Sequence, residues 1–455
     1  MFISWLKQKE NYKYIKIVFI LSVICWFSFW AFNITTNLAS ASSGPDEQLR
    51  ILVPTFIYEH HQLPTGYDSE VIYNVGNWSY AFYPQVLGAV VSAIFMSIVG
   101  IFSNADSALV YGARLASVFF GVATVYITGL IVRKLLSGYK FAEIYSYMAM
   151  ILLAFWPQFA FLSAYINNDI VALFGVSLIL YAAVLGSKDK WNIKNGILMG
   201  IGFSVCLLGY TNSYGFILFG AVFFLVTLVK QNKDVGVRRS LLLLAVVCLI
   251  PILAAGPFYV RNALIYKGDF LGLTTFKSRT TEWELKNDRR VQTSYVQSGE
   301  NDVLDLVRDD NYWQMQQESF IGKFGYMTIS PSPKWVFIYK AIAVMGVVGF
   351  VLMLAGNFRK NRLGRYRNGM LFGIGVALAC VVTLGLSTYY SLTIDIQPQG
   401  RYIIYIIVPL VLLSVLGIKY LIDKYLRGKY KVLFINLILT LYILNSVVIF
   451  GKYIQ

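Results

Sequence analysis

Histidine, cysteine and charge are all scarce in this 455-residue chain. The only histidines are His60 and His61, and the four cysteines (Cys25, Cys206, Cys248 and Cys380) all lie inside apolar stretches. Neither an exported disulfide framework nor a zinc site can be assembled from them, because spacing and partners are both wrong. No phosphate-binding loop, dinucleotide fingerprint or Ser-His-Asp arrangement occurs. Internal repeats of 20–50 residues and low-complexity tracts are also absent. Only 14% of residues are charged, whereas 57% are hydrophobic and 16% aromatic, with a mean hydropathy of +0.61. A soluble globular domain of this length does not have that composition. The formal charge of +16 would suit nucleic acid if the basic residues formed a surface patch. They cluster instead between apolar segments, as cytoplasmic loops do against an anionic leaflet. The charge reports topology, and nucleic-acid binding is excluded.

The first apolar run, residues 14–35, is long enough to cross a bilayer as one helix. It is too long for a cleavable leader and no small-residue cleavage site follows it. Lys7, Lys9, Lys13 and Lys16 precede it, which places the amino terminus in the cytoplasm. Further apolar spans lie near 85–102, 114–133, 141–164, 170–186, 196–210, 215–229, 240–257, 335–356, 369–387, 401–418 and 431–450. If 85–102 lies in the interface, every later basic cluster becomes cytoplasmic. Those clusters include Lys188/Lys190/Lys194, Lys230/Lys233/Arg238/Arg239, Arg359/Lys360/Arg362/Arg365/Arg367 and Lys419/Lys424/Arg427/Lys429/Lys431. That stretch starts at Tyr83-Pro84 and carries Gly88 and Ser92, which also suits a re-entrant or interfacial helix. The expected architecture is therefore an all-α polytopic membrane protein with about eleven crossings, amino terminus inside and carboxyl terminus outside. Residues 1–257 form a transmembrane core that includes an external loop at 36–113. An external region follows at 258–334, with ten basic and ten acidic residues, and carboxyl-terminal crossings occupy 335–455.

Under this topology Asp46, Glu47 and Asp169 all face the outside. Carboxylates at headgroup depth are expensive and mark functional sites. Asp46 and Glu47 also read as part of a solvated loop, and Asp169 as an acid favoured at a helix start. Their convergence on one face points instead to a site, with one carboxylate as general base on an acceptor hydroxyl. Three outer arginines, Arg114, Arg261 and Arg401, run against the inward bias of basic residues. Headgroup snorkelling is the plain explanation for each alone. Together they describe a phosphate-binding surface, since the guanidinium fork matches phosphate oxygens. Arg50, Asn262 and Tyr402, adjoining these residues, complete the candidate substrate-binding set. His60 and His61 read mainly as the polar surface of an interfacial helix. Asp46, His60, His61 and Asp169 are the candidates should a divalent metal be used.

These motifs resemble the GT-C superfamily of membrane glycosyltransferases, which includes the protein O-mannosyltransferases and the lipid A aminoarabinose transferases. The resemblance begins with Pro45-Asp46-Glu47 after the first crossing and continues in Tyr83-Pro84. Arg114-Leu115-Ala116-Ser117, Tyr165-Ile166-Asn167-Asn168-Asp169 and Arg261-Asn262 with Gly268-Asp269 extend it. Ser319-Phe320-Ile321-Gly322-Lys323-Phe324-Gly325 and Gln399-Gly400-Arg401-Tyr402 are similar to a bacterial branch of that group. The match is spread over residues 10–405. It implies a polyprenyl-phosphate sugar donor used on the outer face, with Asp46 as base, Glu47 beside it, and Asp169 in the site. Arg261 and Arg401 are then the candidates for the donor phosphate. The chain departs from the pattern at Thr211–Tyr214, where related enzymes often carry a lysine, and metal dependence differs within the superfamily. The implied activity is transfer of the sugar to a cell-envelope glycan or another acceptor, with inversion at the sugar carbon. A transporter or lipid-linked sugar flippase is the competing reading. It would place ionisable groups or broken helices at the bilayer midplane, whereas most charges here sit at the ends of crossings. A non-catalytic scaffold leaves Asp46, Asp169 and the outer arginines unexplained.

Overall fold

The computed structural model describes residues 11–298, 302–359 and 367–454. Of the basic residues flanking the apolar spans, Lys7, Lys9, Lys360, Arg362 and Arg365 lie outside the described residues. Helices dominate, and the described residues contain no strand, only the isolated bridges Tyr73–Trp78 and Phe324–Ile329. In chain order the helices are α1 (Asn11–Asn33), α2 (Glu47–Arg50), α3 (Leu52–His60), α4 (Leu87–Gly100) and α5 (Asp106–Leu135). Next come α6 (Ala142–Ala154), α7 (Pro157–Leu162), α8 (Asp169–Asp189), α9 (Ile193–Gly209), α10 (Tyr214–Val235), α11 (Val237–Ala254) and α12 (Gly256–Ile265). Last are α13 (Leu273–Asn287), α14 (Val303–Arg308), α15 (Asp310–Gly322), α16 (Pro333–Arg359), α17 (Arg367–Thr393), α18 (Ile407–Tyr425) and α19 (Lys429–Ile454).

Nine helical stretches among the described residues are long and apolar enough to cross a membrane. They correspond to nine of the eleven expected crossings. The other two are the shorter helices α6 and α9. The expected crossing at 141–164 is broken at Phe155-Trp156. Pro157, which has no N–H and a fixed φ, opens α7 there as its first residue. The interfacial candidate at 85–102 is α4, whose fourteen residues span only about 21 Å, short of a hydrocarbon core of roughly 30 Å.

Helices in lipid gain little from hydrophobic sorting, so close backbone approach matters more. A Cβ on Gly175 of α8 would lie 3.0 Å from the carbonyl oxygen of Gly202 on α9, so only glycine permits this spacing. Gly346 on α16 and Gly417 on α18 meet in the same way. The buried core runs through α5, α6, α8 and α18. In contrast α11 and α17 leave most of their apolar surface uncovered, which matches lipid contact. The two long inter-helix segments pack on each other at one end of the bundle. Tyr266 joins them by accepting from the Gly66 N–H at 2.8 Å and donating to the Ala81 carbonyl at 3.2 Å.

Candidate active site

The turn after α1 is fastened by Arg114 on α5. Its Nη1 donates to the carbonyls of Ala31 (3.0 Å) and Ile34 (2.7 Å), and its Nη2 to that of Thr35 (2.8 Å). Ala31 is one of the carbonyls that the end of α1 leaves unpaired, and Ile34 and Thr35 follow directly after the helix. The same guanidinium grips Glu47 with two parallel bonds, Nε to Oε1 and Nη2 to Oε2, both 2.8 Å. Glu47 also accepts from the Ile166 N–H (3.0 Å) and the Gly44 N–H (3.3 Å). Neither side chain has any exposure. One ion pair thus joins α1, α2, α5 and the segment leading to α8, with its donors and acceptors directed inward.

Asp46 points elsewhere. Its backbone is left-handed, with φ of 61°, a conformation that aspartate tolerates better than most residues. Gly44 just before it lies so close to the Tyr165 ring that a Cβ would overlap it. The Asp46 side chain keeps 32% exposure and accepts from Arg401 Nη2 at 2.6 Å. Arg401 is held by a 3-10 turn over Gly400–Ile406 that leads into α18. Ser319 Oγ accepts from the Gly400 N–H at 2.7 Å, and a Cβ there would strike the Phe320 backbone. The Arg401 side chain is 4% exposed. It also donates to the Tyr402 hydroxyl (3.2 Å) and the Pro45 carbonyl (3.4 Å), while its Nε has no partner.

Asp169 is buried at the first position of α8, where an acid often acts as a cap. That task falls to Asn167, whose Oδ1 accepts from the Ile170 N–H at 2.9 Å. Asp169 is left to accept from the Tyr405 hydroxyl at 3.0 Å. Arg50, the last residue of α2, lies with its guanidinium 4.2 Å from the centre of the Tyr80 ring. It is buried, yet Nε and Nη1 have no hydrogen-bond partner. Arg50 is electrostatically coupled to both Asp46 and Asp169, and Arg401 to both as well. Burial pushes the Asp46 carboxyl up, but Arg401 and Arg50 more than offset this and hold it below the usual carboxylate value. Burial alone would lower the Arg50 value, but Tyr80, Asp46, Tyr210 and Asp169 raise it, so the guanidinium stays charged.

The structure therefore brings Asp46, Asp169, Arg50, Arg401 and Tyr402 into one cluster. Glu47 and Arg114 sit directly behind it, sealed from it. Arg261 and Asn262 have other partners. Arg261 Nη2 donates to the Leu63 (3.0 Å) and Pro64 (2.9 Å) carbonyls, and Asn262 Nδ2 to the Phe82 carbonyl (2.8 Å). They clasp α12 to the first long loop. His60 and His61 are exposed at the end of α3, with His60 Nε2 2.8 Å from Glu70 Oε2. The only three-ligand grouping among the described residues is Glu59, His60 and Glu70, all exposed. Among the described residues neither Asp46 nor Asp169 belongs to a three-ligand grouping, and Asp46 is held by an arginine.

Sequence reasoning missed Tyr405, Tyr80 and Tyr210, because nothing in a chain with 32 tyrosines separates these from an interfacial belt. Asn167 was detectable in principle as a capping side chain three residues before the first free helical N–H. The other end of α5 holds a cavity of about 450 Å³ lined by Arg133, Lys134, Lys140 and Glu143. Arg133 lies nineteen residues beyond Arg114, about 28 Å along the helix, so that cavity is separate from the acids.

No protein-family model and no curated relative matches the chain. Solved structures match its fold. The aminoarabinose transferase ArnT from Cupriavidus metallidurans superposes in its apo state at a TM-score of 0.51, with 13% identity over 96% of this chain and 75% of that one. The same protein bound to undecaprenyl phosphate gives 0.52, with 13% identity and coverage of 98% and 76%. The oligosaccharyltransferase of Archaeoglobus fulgidus in complex with Zn and sulfate gives 0.51, with 14% identity. That match covers 94% of this chain but 52% of that one, so the chain spans about half the length of the archaeal enzyme. The chain has the fold of GT-C membrane glycosyltransferases and is a multi-pass membrane protein.

Proposed function

We propose that this chain transfers a sugar from a polyprenyl-phosphate donor to a cell-envelope acceptor at the outer membrane face, with its amino terminus in the cytoplasm. The observation that carries this reading is a pair of buried guanidinium groups with unpartnered nitrogens, Arg50 and Arg401, set among two acids. A buried cationic donor without an acceptor is costly, and a phosphate oxygen relieves that cost. ArnT, which shares the fold, has been solved with undecaprenyl phosphate. The lysine expected from the family resemblance at 211–214 is missing, and Arg50 supplies the second cation.

In this mechanism Arg50 and Arg401 hold the donor phosphate, with Tyr402 fixing the Arg401 fork. The acceptor hydroxyl gives its proton to Asp46 as its oxygen bonds to the sugar carbon. The bond from that carbon to the phosphate oxygen breaks, and the leaving polyprenyl phosphate keeps the electron pair. The two guanidinium groups stabilise the charge gained there. One displacement inverts the sugar carbon. Asp169, fixed by Tyr405, orients the reacting groups. Glu47 and Arg114 act as positioning residues, and Arg261 with Asn262 positions the external loops. The 258–334 region selects the acceptor.

The test is transfer of radiolabel from polyprenyl-phosphate sugars to envelope glycan in proteoliposomes, comparing wild type with Asp46→Asn. Transfer in wild type alone supports the assignment. Full activity of the variant removes Asp46 as the base, and label crossing the bilayer without transfer identifies a flippase.

A further inference from the structure

Five tyrosines from four segments surround the charged cluster. Tyr210, Tyr402 and Tyr390 follow one another as near-parallel rings. Tyr210 and Tyr402 lie 6.5 Å apart at 23°, and Tyr402 and Tyr390 lie 6.1 Å apart at 28°. Tyr80 and Tyr83, 6.3 Å apart, continue the wall beneath Arg50. Each of the five is only partly buried and keeps some free surface, although Tyr80, Tyr83 and Tyr210 also pack against hydrophobic clusters. The hydroxyls of Tyr80, Tyr83 and Tyr210 have no hydrogen-bond partner among the described residues. Burial raises the titration of Tyr80 and Tyr83 well beyond the normal tyrosine value, and their phenols stay neutral. The wall therefore offers flat apolar faces with uncharged hydroxyls at their rims, the surface that the C–H faces and hydroxyls of a sugar ring match.

Charge sharpens the choice of sugar. Asp46 and Asp169 balance Arg50 and Arg401, and a phosphodiester would use both guanidinium groups. An acidic sugar would compete with that phosphate for the same two arginines. An amino sugar would compete with the arginines for the same two carboxylates. The next acids are committed: Asp269 accepts from Thr275 N–H and Oγ1 at 2.7 and 2.9 Å. Asp395 accepts from Thr293 N–H at 3.1 Å and Gln397 Nε2 at 2.6 Å. We infer that the donor carries an uncharged, polyhydroxylated sugar that lies against the tyrosine wall. Tyr80, Tyr83, Tyr210 and Tyr390 then set donor specificity. This rests on the proposed function, because the wall flanks the place assigned there to the phosphate.

The test compares four probes on purified protein in detergent, with affinity read from thermal stabilisation: polyprenyl phosphate alone, and its mannose, 4-amino-arabinose and glucuronic acid esters. The mannose ester should bind at least tenfold tighter than the bare lipid, and both charged esters no tighter than the bare lipid. Tyr210→Leu and Tyr390→Leu should erase the mannose advantage without moving the affinity for the bare lipid. Tyr390→Phe, which keeps the ring, controls for a variant that misfolds and should retain most of the advantage. A charged ester that binds as tightly as the mannose ester overturns the inference. Mannose preference that survives both leucine variants overturns the role of the wall. Failure of all four probes to bind, bare lipid included, overturns the underlying donor assignment instead.

Discussion

Asp46 and Glu47 are neighbours in sequence and each is paired with one arginine, yet their surroundings are opposite. Glu47 and Arg114 have no exposure, and the guanidinium meets one carboxylate and three carbonyls. Asp46 and Arg401 share a short contact, but the acid is one-third exposed and the arginine keeps an unpartnered Nε. A saturated pair fixes geometry, because moving either partner leaves a buried charge uncompensated. An unsaturated pair retains capacity for a third party. A single peptide bond thus separates a fastening from a candidate site, and the left-handed backbone at Asp46 turns the two carboxylates apart.

Breaking the sealed pair should have the largest effect. Arg114→Leu leaves Glu47 buried and unpaired, a loss of about 3–5 kcal/mol. The expected outcome is a protein that fails to elute as one species from size exclusion in mild detergent. A monodisperse variant with unchanged thermal unfolding would contradict the fastening role. Next in size is the open side. Removing a charged hydrogen-bond donor costs about 1.5–3 kcal/mol, so Arg401→Gln or Arg50→Leu should weaken polyprenyl-phosphate affinity by roughly 10- to 150-fold. Binding isotherms of the lipid phosphate check this, and folding should be retained.

The acid limb of the pH–rate profile separates the two pairs further. The folded Asp46 carboxyl titrates below its ordinary value of roughly 3.9, so base function should persist from neutral pH down through pH 5. It should fail only as pH falls below the usual carboxylate range. The same sign holds for stability, because a depressed folded value contributes above the unfolded value and is lost on acidification. In Arg401→Gln the burial that raises Asp46 loses its main opponent, and the acid limb of the residual rate should move up. An unmoved limb would detach the activity from Asp46. The smallest effect belongs to Arg261→Ala, whose contacts are to loop carbonyls. It should change donor affinity less than about threefold, while the two long loops it joins lose protection from proteolysis.

The parts of this arrangement that the sequence revealed are those set by the membrane. Long apolar runs separated by basic residues placed the spans, and among the described residues nine of them are helices long and apolar enough to cross a membrane. Asp46, Asp169 and Arg401 stood out because charges are rare where they occur. Arg114 stood out for the same reason, but its partner did not. Glu47 is 67 residues away, and no local pattern says that the two meet behind the site instead of in it. Arg261 was equally conspicuous and lies on loop carbonyls for the same reason. Tyr405, Tyr80 and Tyr210 carry no local signal, since only the fold brings them from three segments to one cluster.

The most direct test of the division between the two carboxylates is to measure sugar transfer and thermal unfolding on the same purified preparations of Asp46→Asn and Glu47→Gln. Asp46→Asn should lose only the modest stability its part-exposed pair with Arg401 contributes, and lose transfer by about 10²- to 10⁴-fold, the contribution of a general base. Glu47→Gln should unfold at clearly lower temperature while its folded fraction still transfers sugar. A stable, inactive Glu47→Gln beside an active Asp46→Asn would reverse the two assignments.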